Sequence, residues 1–169
     1  MKKVLIIDTS ILCVWLDVAN MKTCGPDSDT WDKQRVEKKF NEETQSKTTF
    51  VLPLASIIET GNHIAQANRR RWESAVDLAA LIRKTADEQT SWAAFADQSA
   101  LWSPEKLGDL ADTWPDHAAR QLSLGDMTIK DVADWYANTG FSVEILTGDQ
   151  GLKALQPTAP IEAPRRRRR

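Results

Sequence analysis

The chain has 169 residues, enough for one domain with a buried core. Apolar residues make up 41% and charged residues 27%, both ordinary for a soluble globular protein. No apolar run approaches the roughly 20 residues that would span a bilayer, and two cysteines, Cys13 and Cys24, exclude a disulfide framework or a zinc quartet. The net charge of −2 hides an asymmetry. Setting aside the arginines Arg165 to Arg169, 17 basic residues face 24 acidic ones. An acidic body argues against passive binding to a nucleic-acid backbone, which rests on a basic surface. It is compatible with an acidic cluster that holds metal ions.

Residues 3–7, KVLII, form a continuous apolar, β-branched-rich run, the pattern of a strand buried on both faces of a parallel sheet. Asp8 ends the run, which is too short for a signal-peptide core, so a cytoplasmic protein with no membrane contact is expected. Asp8-Thr9-Ser10 turns into a helix carrying Ile11, Leu12, Val14, Trp15 and Leu16. Residues 20–48 are polar, with Gly25-Pro26 as a break and a helix predicted from about Thr30 to Glu43. Thr49 to Leu52 reads as a second strand. Pro53 then starts a helix whose apolar positions are Leu54, Ile57, Ile58 and Ile64. Residues 67–121 are helix-rich, with Ser103-Pro104 as a capped helix start; Trp92 to Ala96 fits strand or helix equally. Gly125-Asp126 opens a helix bearing Ile129, Val132, Ala133 and Tyr136, and Asn138-Thr139-Gly140 ends it. Val143 to Leu146 is a third strand. Thr147-Gly148-Asp149 turns into a short helix through Leu155. Strands alternating with helices imply an α/β fold, a three-layer α/β/α sandwich around a mainly parallel sheet. The domain is expected to cover residues 1–156. Residues 157–169, rich in proline and arginine, read as a disordered tail that aids polyanion binding or solubility.

Ligands of such sheets sit outside the carboxyl ends of the strands. Asp8 lies at one such end and Asp149 just past another. Asp126 is placed at a helix start, and Glu59 inside the helix after the second strand. Singly, each Asp is better explained as a helix N-cap, and Glu59 as an ordinary boundary residue. Together they are harder to dismiss. Carboxylates within about 4 Å repel by roughly 4 kcal/mol per pair at an effective dielectric of about 20. Protonation or a cation must offset that, and hard oxygen ligands select magnesium or manganese over zinc.

The segments VLIIDTSIL, LPLASIIETGNHI, LGDMTIKDVA and ILTGDQGL resemble, in order and context, the four acidic motifs of the PIN-domain nucleases. Asp8 matches the first acid and Ser10 the small polar residue two places on. Glu59 matches the second acid and Asp126 the third, while Thr147 and Asp149 match the closing Thr-x-Asp. The resemblance implies a PIN-like α/β/α fold and Mg2+- or Mn2+-dependent endonuclease activity on RNA, with DNA as a second substrate class. It implies metal ligation by Asp8, Glu59, Asp126 and Asp149, supported by Thr9, Ser10, Asn62 and Thr147. It also implies a homodimer or a cognate protein partner, such as the antitoxin of a toxin–antitoxin pair, or a role in defence. Arg69, Arg70 and Arg71, which continue the Glu59 helix, are candidate phosphate contacts, although a run of three is more often a solvated face. The chain departs from the family in its long middle, residues 67–121, and in its arginine tail. Asp131 and Asp134 lie close enough to Asp126 to replace or assist it.

Other classes fit less well. His63 and His117 have no accompanying nucleophile motif, and GxxxxGK[ST] is absent. Phosphatases that use a strand-terminal aspartate want a second Asp where Ser10 stands. The alternative is a catalytically degenerate PIN-like binding or scaffold module. Seven tryptophans is a high number. Most are expected in the core, with those of the middle segment available to a partner.

Overall fold

The computed structural model describes residues 2–93 and 95–158. Pro160, Pro164 and the Arg165–Arg169 run, and with them most of the expected tail, lie outside the described residues. Three strands, β1 (Lys3–Ile7), β4 (Thr49–Val51) and β5 (Ser142–Leu146), form a parallel sheet in the order β4-β1-β5. The KVLII run is the central strand, as its unbroken apolar character requires. Val4, Leu5, Ile6 and Ile7 are all fully buried. Because side chains alternate across a strand, Leu5 and Ile7 feed one core and Val4 and Ile6 the other.

The first core packs β1 against α1 (Thr9–Trp15), α2 (Lys33–Gln45), α3 (Leu54–Gln66) and α4 (Arg71–Ala86), through Ile11, Leu12, Val36, Phe40, Ile64, Leu78 and Leu81. The second packs it against α6 (Leu124–Asn138) and α7 (Gln150–Lys153), through Ile129, Val132, Ala133, Tyr136 and Leu152. Helices therefore cover both faces of the sheet. Helix α5 (Pro104–Ala118) begins at the expected Ser103 cap, whose side chain accepts from the Lys106 amide, and packs on α6.

The polar stretch after α1 holds a feature that periodicity did not signal. Thr23–Cys24 (β2) and Trp31–Asp32 (β3) pair antiparallel, so α2 starts at Lys33 rather than Thr30. The hairpin closes over the sheet edge at Gly148. A Cβ there would lie 2.7 Å from the Gly25 nitrogen and 2.8 Å from Cys24 Sγ, which only glycine avoids. Trp92 is neither strand nor helix. It bridges Phe50 in parallel and stacks edge-on against its ring, 5.4 Å between centroids, before a 3-10 segment over Phe95–Trp102. Of the tryptophans, Trp31 is buried and Trp15, Trp92, Trp114 and Trp135 are half-buried. Trp72 and Trp102 are exposed, at 75% and 41%. No described helix is long and apolar enough to cross a membrane.

At the amino end of the sheet, Glu43 is buried against three donors. Lys3 Nζ lies at 2.5 Å, Lys39 Nζ at 2.7 Å and Thr48 Oγ1 at 2.5 Å. Burial pushes its carboxyl up, but these donors outweigh it and bring the group down to about 2. Both lysines also reach Glu144 on β5, tying α2 to the sheet.

Candidate active site

The opposite edge carries the acids. In the register of β1 with β5, Ile7 faces Leu146, so Asp8 and Thr147 emerge side by side at the carboxyl ends. The Asp8 amide donates to the Leu146 carbonyl at 3.1 Å, extending the ladder by one bond. Its side chain is 4% exposed. Oδ2 accepts from Ser10 Oγ and Thr147 Oγ1, each at 2.7 Å, and from the Ser10 amide at 3.3 Å. Asp8 is thus the N-cap of α1, as its sequence position suggests. Burial raises its carboxyl above the ordinary range, and the hydroxyl donors only partly oppose this. Ser10 Oγ in turn accepts from the Gly148 amide at 2.9 Å, and Thr147 Oγ1 from the Asp149 amide at 2.9 Å. The hydroxyls of Ser10 and Thr147 therefore fix the Asp8 carboxylate and the following turn together.

Glu59 reaches this edge from the middle of α3. Its Oε2 accepts from Thr9 Oγ1 at 3.0 Å. Burial pushes its carboxyl up, the Thr9 bond opposes this, and the charges of Asp126 and Asp8 raise it further. His63, one turn on, acts in the opposite direction. Gly125 of α6 makes the approach possible: an added Cβ would stand 2.0 Å from Glu59 Oε1. This close contact between α3 and α6 had no signal in the sequence beyond the Gly-Asp pair itself.

Asp126 is not a helix N-cap. Ser123 caps α6, and Asp126 is the third residue inside. Its Oδ2 accepts from the Ser123 amide at 2.7 Å while its own amide donates to Ser123 Oγ at 3.0 Å. The motif Ser-x-x-Asp is a capping-box arrangement with Asp in place of Glu, and it explains why the helix starts one residue before Gly125. Asp149 is the N-cap of α7, with Oδ1 accepting from the Leu152 amide at 2.9 Å, and is exposed. Its amide is linked to Asp8 through the Thr147 hydroxyl. Each of these two carboxylates keeps one oxygen outside its cap bond.

Other candidates fall elsewhere. Asn62 is exposed on α3. Asp134 pairs with Lys130, and Asp131 lines a cleft with Lys106 and His117 between α5 and α6. Arg69 and Arg70 line a cavity with Asp17 and Lys22 beyond the far end of α1, and Arg71 borders an apolar groove between α3 and α4. The three arginines do not continue the Glu59 helix: α3 ends at Gln66, and they lie at the turn into α4, with Arg69 and Arg70 beyond the end of α1 that is remote from Asp8. Cys13, in contrast, sits beneath the site. Burial pushes its thiol up to about 12, and the charges of Asp8 and Glu59 add to the effect. Both cysteines are free.

The centre is thus a pair of carboxylates, Asp8 and Glu59, flanked by Asp126, with hydroxyl donors and, among the described residues, no basic side chain in hydrogen-bond contact with either of the pair. Its donors are all oxygen, the type that suits a hard divalent cation. Among the described residues no three His, Cys, Asp or Glu side chains are drawn together closely enough to cage an ion. The fit is therefore one of donor chemistry, with Asp8 and Glu59 as its core. Comparison with known protein families, with curated proteins and with solved structures gives no significant match.

Proposed function

We propose that the protein is a metal-dependent nuclease of the PIN type, most specifically an endoribonuclease. The observation that carries this reading is the Asp8–Glu59 pair. Two carboxylates, one at the end of β1 and one from α3, are held at the carboxyl edge of a parallel sheet; burial raises both above the ordinary range, and among the described residues neither pairs with a lysine or arginine. Such an arrangement is unfavourable unless a cation or a proton shares it. Placement at the sheet's carboxyl edge is where α/β folds bind ligands, and the order of the acidic segments supports the family.

In this reading Asp8 and Glu59 would hold Mg2+ or Mn2+, and Asp126 and Asp149, each with one oxygen outside its cap bond, would supplement them. A bound divalent ion lowers the pKa of water and neutralises charge on a phosphodiester. The protein's own contribution is positional. Ser10 and Thr147 lock the Asp8 carboxylate from one side and Thr9 locks Glu59, so neither must reorganise when substrate arrives. Expected partners are an RNA strand and, on the exposed Trp72 side of α4, a second copy or a cognate protein such as an antitoxin.

The engagement of Asp126 in a capping box and of Asp149 as a helix cap favours a second reading, a PIN-like binding module with no catalysis. The two separate in one assay: end-labelled single-stranded RNA incubated with Mn2+, with Mg2+ and with EDTA. The nuclease reading expects internal cuts with either metal, none with EDTA, and at least a hundredfold loss in Glu59→Gln. RNA that is retained intact by the wild type under all three conditions supports the module instead.

A further inference from the structure

Helix α1 has the carboxylate site at its N-terminus. Beyond its C-terminus, roughly 10 Å away at 1.5 Å per residue, lies a separate cavity of about 230 Å³. Lys22, Arg69 and Arg70 line it, together with Asp17 and the turn from Val18 to Asn20. None of the three cations forms an ion pair among the described residues. The acid on the lining, Asp17, is already engaged by Lys33 at 2.5 Å. Three uncompensated cations around one small cavity are unusual in a chain whose acidic residues outnumber its basic ones. They concentrate positive potential there.

The backbone adds to this. Arg70 is the N-cap of α4, a helix of 16 residues, and gives it no side-chain cap bond. The cavity thus lies next to the start of α4, the end of a helix that carries partial positive charge. Ser74 in its first turn is buried and donates to the Leu16 carbonyl at 3.0 Å, pinning the start of α4 onto the end of α1. Asp17, Asn20 and Arg70 all adopt left-handed backbone conformations, with φ of 53, 67 and 56°. Glu73 is the acid in the first turn of α4.

We propose that this cavity is a phosphate-binding site. Its volume falls below the roughly 300–1,000 Å³ of pockets that enclose drug-sized ligands, so it takes the phosphate group rather than a whole nucleotide. Arg69 and Arg70 supply planar donor forks and Lys22 a point charge. The phosphate comes from a nucleic-acid strand or from a small free phosphate, chemistries that the site shares. The inference does not need the hydrolase reading, because capture of phosphate is measurable where nothing is cut.

The test uses the full chain in EDTA. Inorganic phosphate is titrated calorimetrically, and a fluorescent single-stranded RNA by anisotropy, against wild type, a Lys22→Gln/Arg69→Gln/Arg70→Asn variant and an Arg120→Gln control at an exposed arginine with no ion pair among the described residues. Asparagine is chosen at position 70 because it tolerates the left-handed backbone. Melting without ligand checks folding, and Lys22→Gln/Arg69→Gln replaces the triple variant if it fails. The expected result is saturable binding that weakens at least tenfold in the cavity variant and stays unchanged in Arg120→Gln. Loss with inorganic phosphate assigns a small phosphate. Loss confined to the RNA, with the salt slope flattened by about 0.7 for one lost phosphate contact, assigns a strand. Equal binding by wild type and cavity variant, or saturable binding of neither probe, overturns the proposal.

Discussion

At the scale of single residues, the two ends of the sheet have opposite electrostatic signs of stability. Asp8 and Glu59 have carboxyls raised above their unfolded values. Their ionised forms therefore oppose folding above the folded pKa, and acidification from there towards the unfolded pKa relieves the strain. Asp8→Asn keeps the shape and the capping ability while removing the charge. Its metal-free melting temperature is expected to equal or exceed that of wild type, measured by calorimetry at pH 7. Glu43 is the converse. With its carboxyl held down to about 2, it contributes stability that is fully present above the unfolded value near 4.5 and is lost as pH falls towards 2. Glu43→Gln leaves Lys3 and Lys39 short of an anion and should cost about 1–3 kcal/mol. Urea melts at pH 7 and pH 3 check this: the gap between wild type and Glu43→Gln should shrink at the lower pH.

At the scale of elements, Gly125 offers a separation of site from stability. Alanine is better than glycine in a helix by up to about 1 kcal/mol, and the atom its Cβ would meet is the mobile end of Glu59. Gly125→Ala is expected to fold as stably as wild type within about 1 kcal/mol while displacing Glu59 and cutting activity and metal response at least tenfold. A variant with full activity would show that Glu59's position is unimportant. Ser123→Ala should cost about 1 kcal/mol through the lost cap. The strand and helix order was legible from residue patterns because β1 is apolar on both faces and the apolar residues of β4 and β5 are bounded by turn residues. The β2–β3 hairpin was not, since two-residue strands have no periodicity to read. Asp126 was misplaced because the Ser123 cap lies just outside the apolar run that marked the helix. Arg69 to Arg71 read as a continuation of the Glu59 helix, but α3 ends at Gln66 and they form the turn into α4.

At the scale of the whole molecule, the central claim is a cation offsetting the charges of buried Asp8 and half-buried Glu59. The sequence pointed to four acids through their order and context. The structure draws Asp8, Glu59 and Asp126 into one electrostatic neighbourhood, while Asp149 stays on the rim as a helix cap. That difference could not be read from the chain, because an aspartate after a strand is equally a cap or a ligand until its neighbours are placed. A ligand that binds only the folded state adds about 2.7 kcal/mol at a hundred times its Kd. For a chain of this length that is about 5–10 °C in Tm. The most direct test is the shift in Tm on adding Mn2+ to wild type and to Asp8→Asn, each against EDTA. The account predicts a rise of about 5–10 °C in wild type and little or none in Asp8→Asn. Equal shifts in both proteins, or no shift in either, would contradict it.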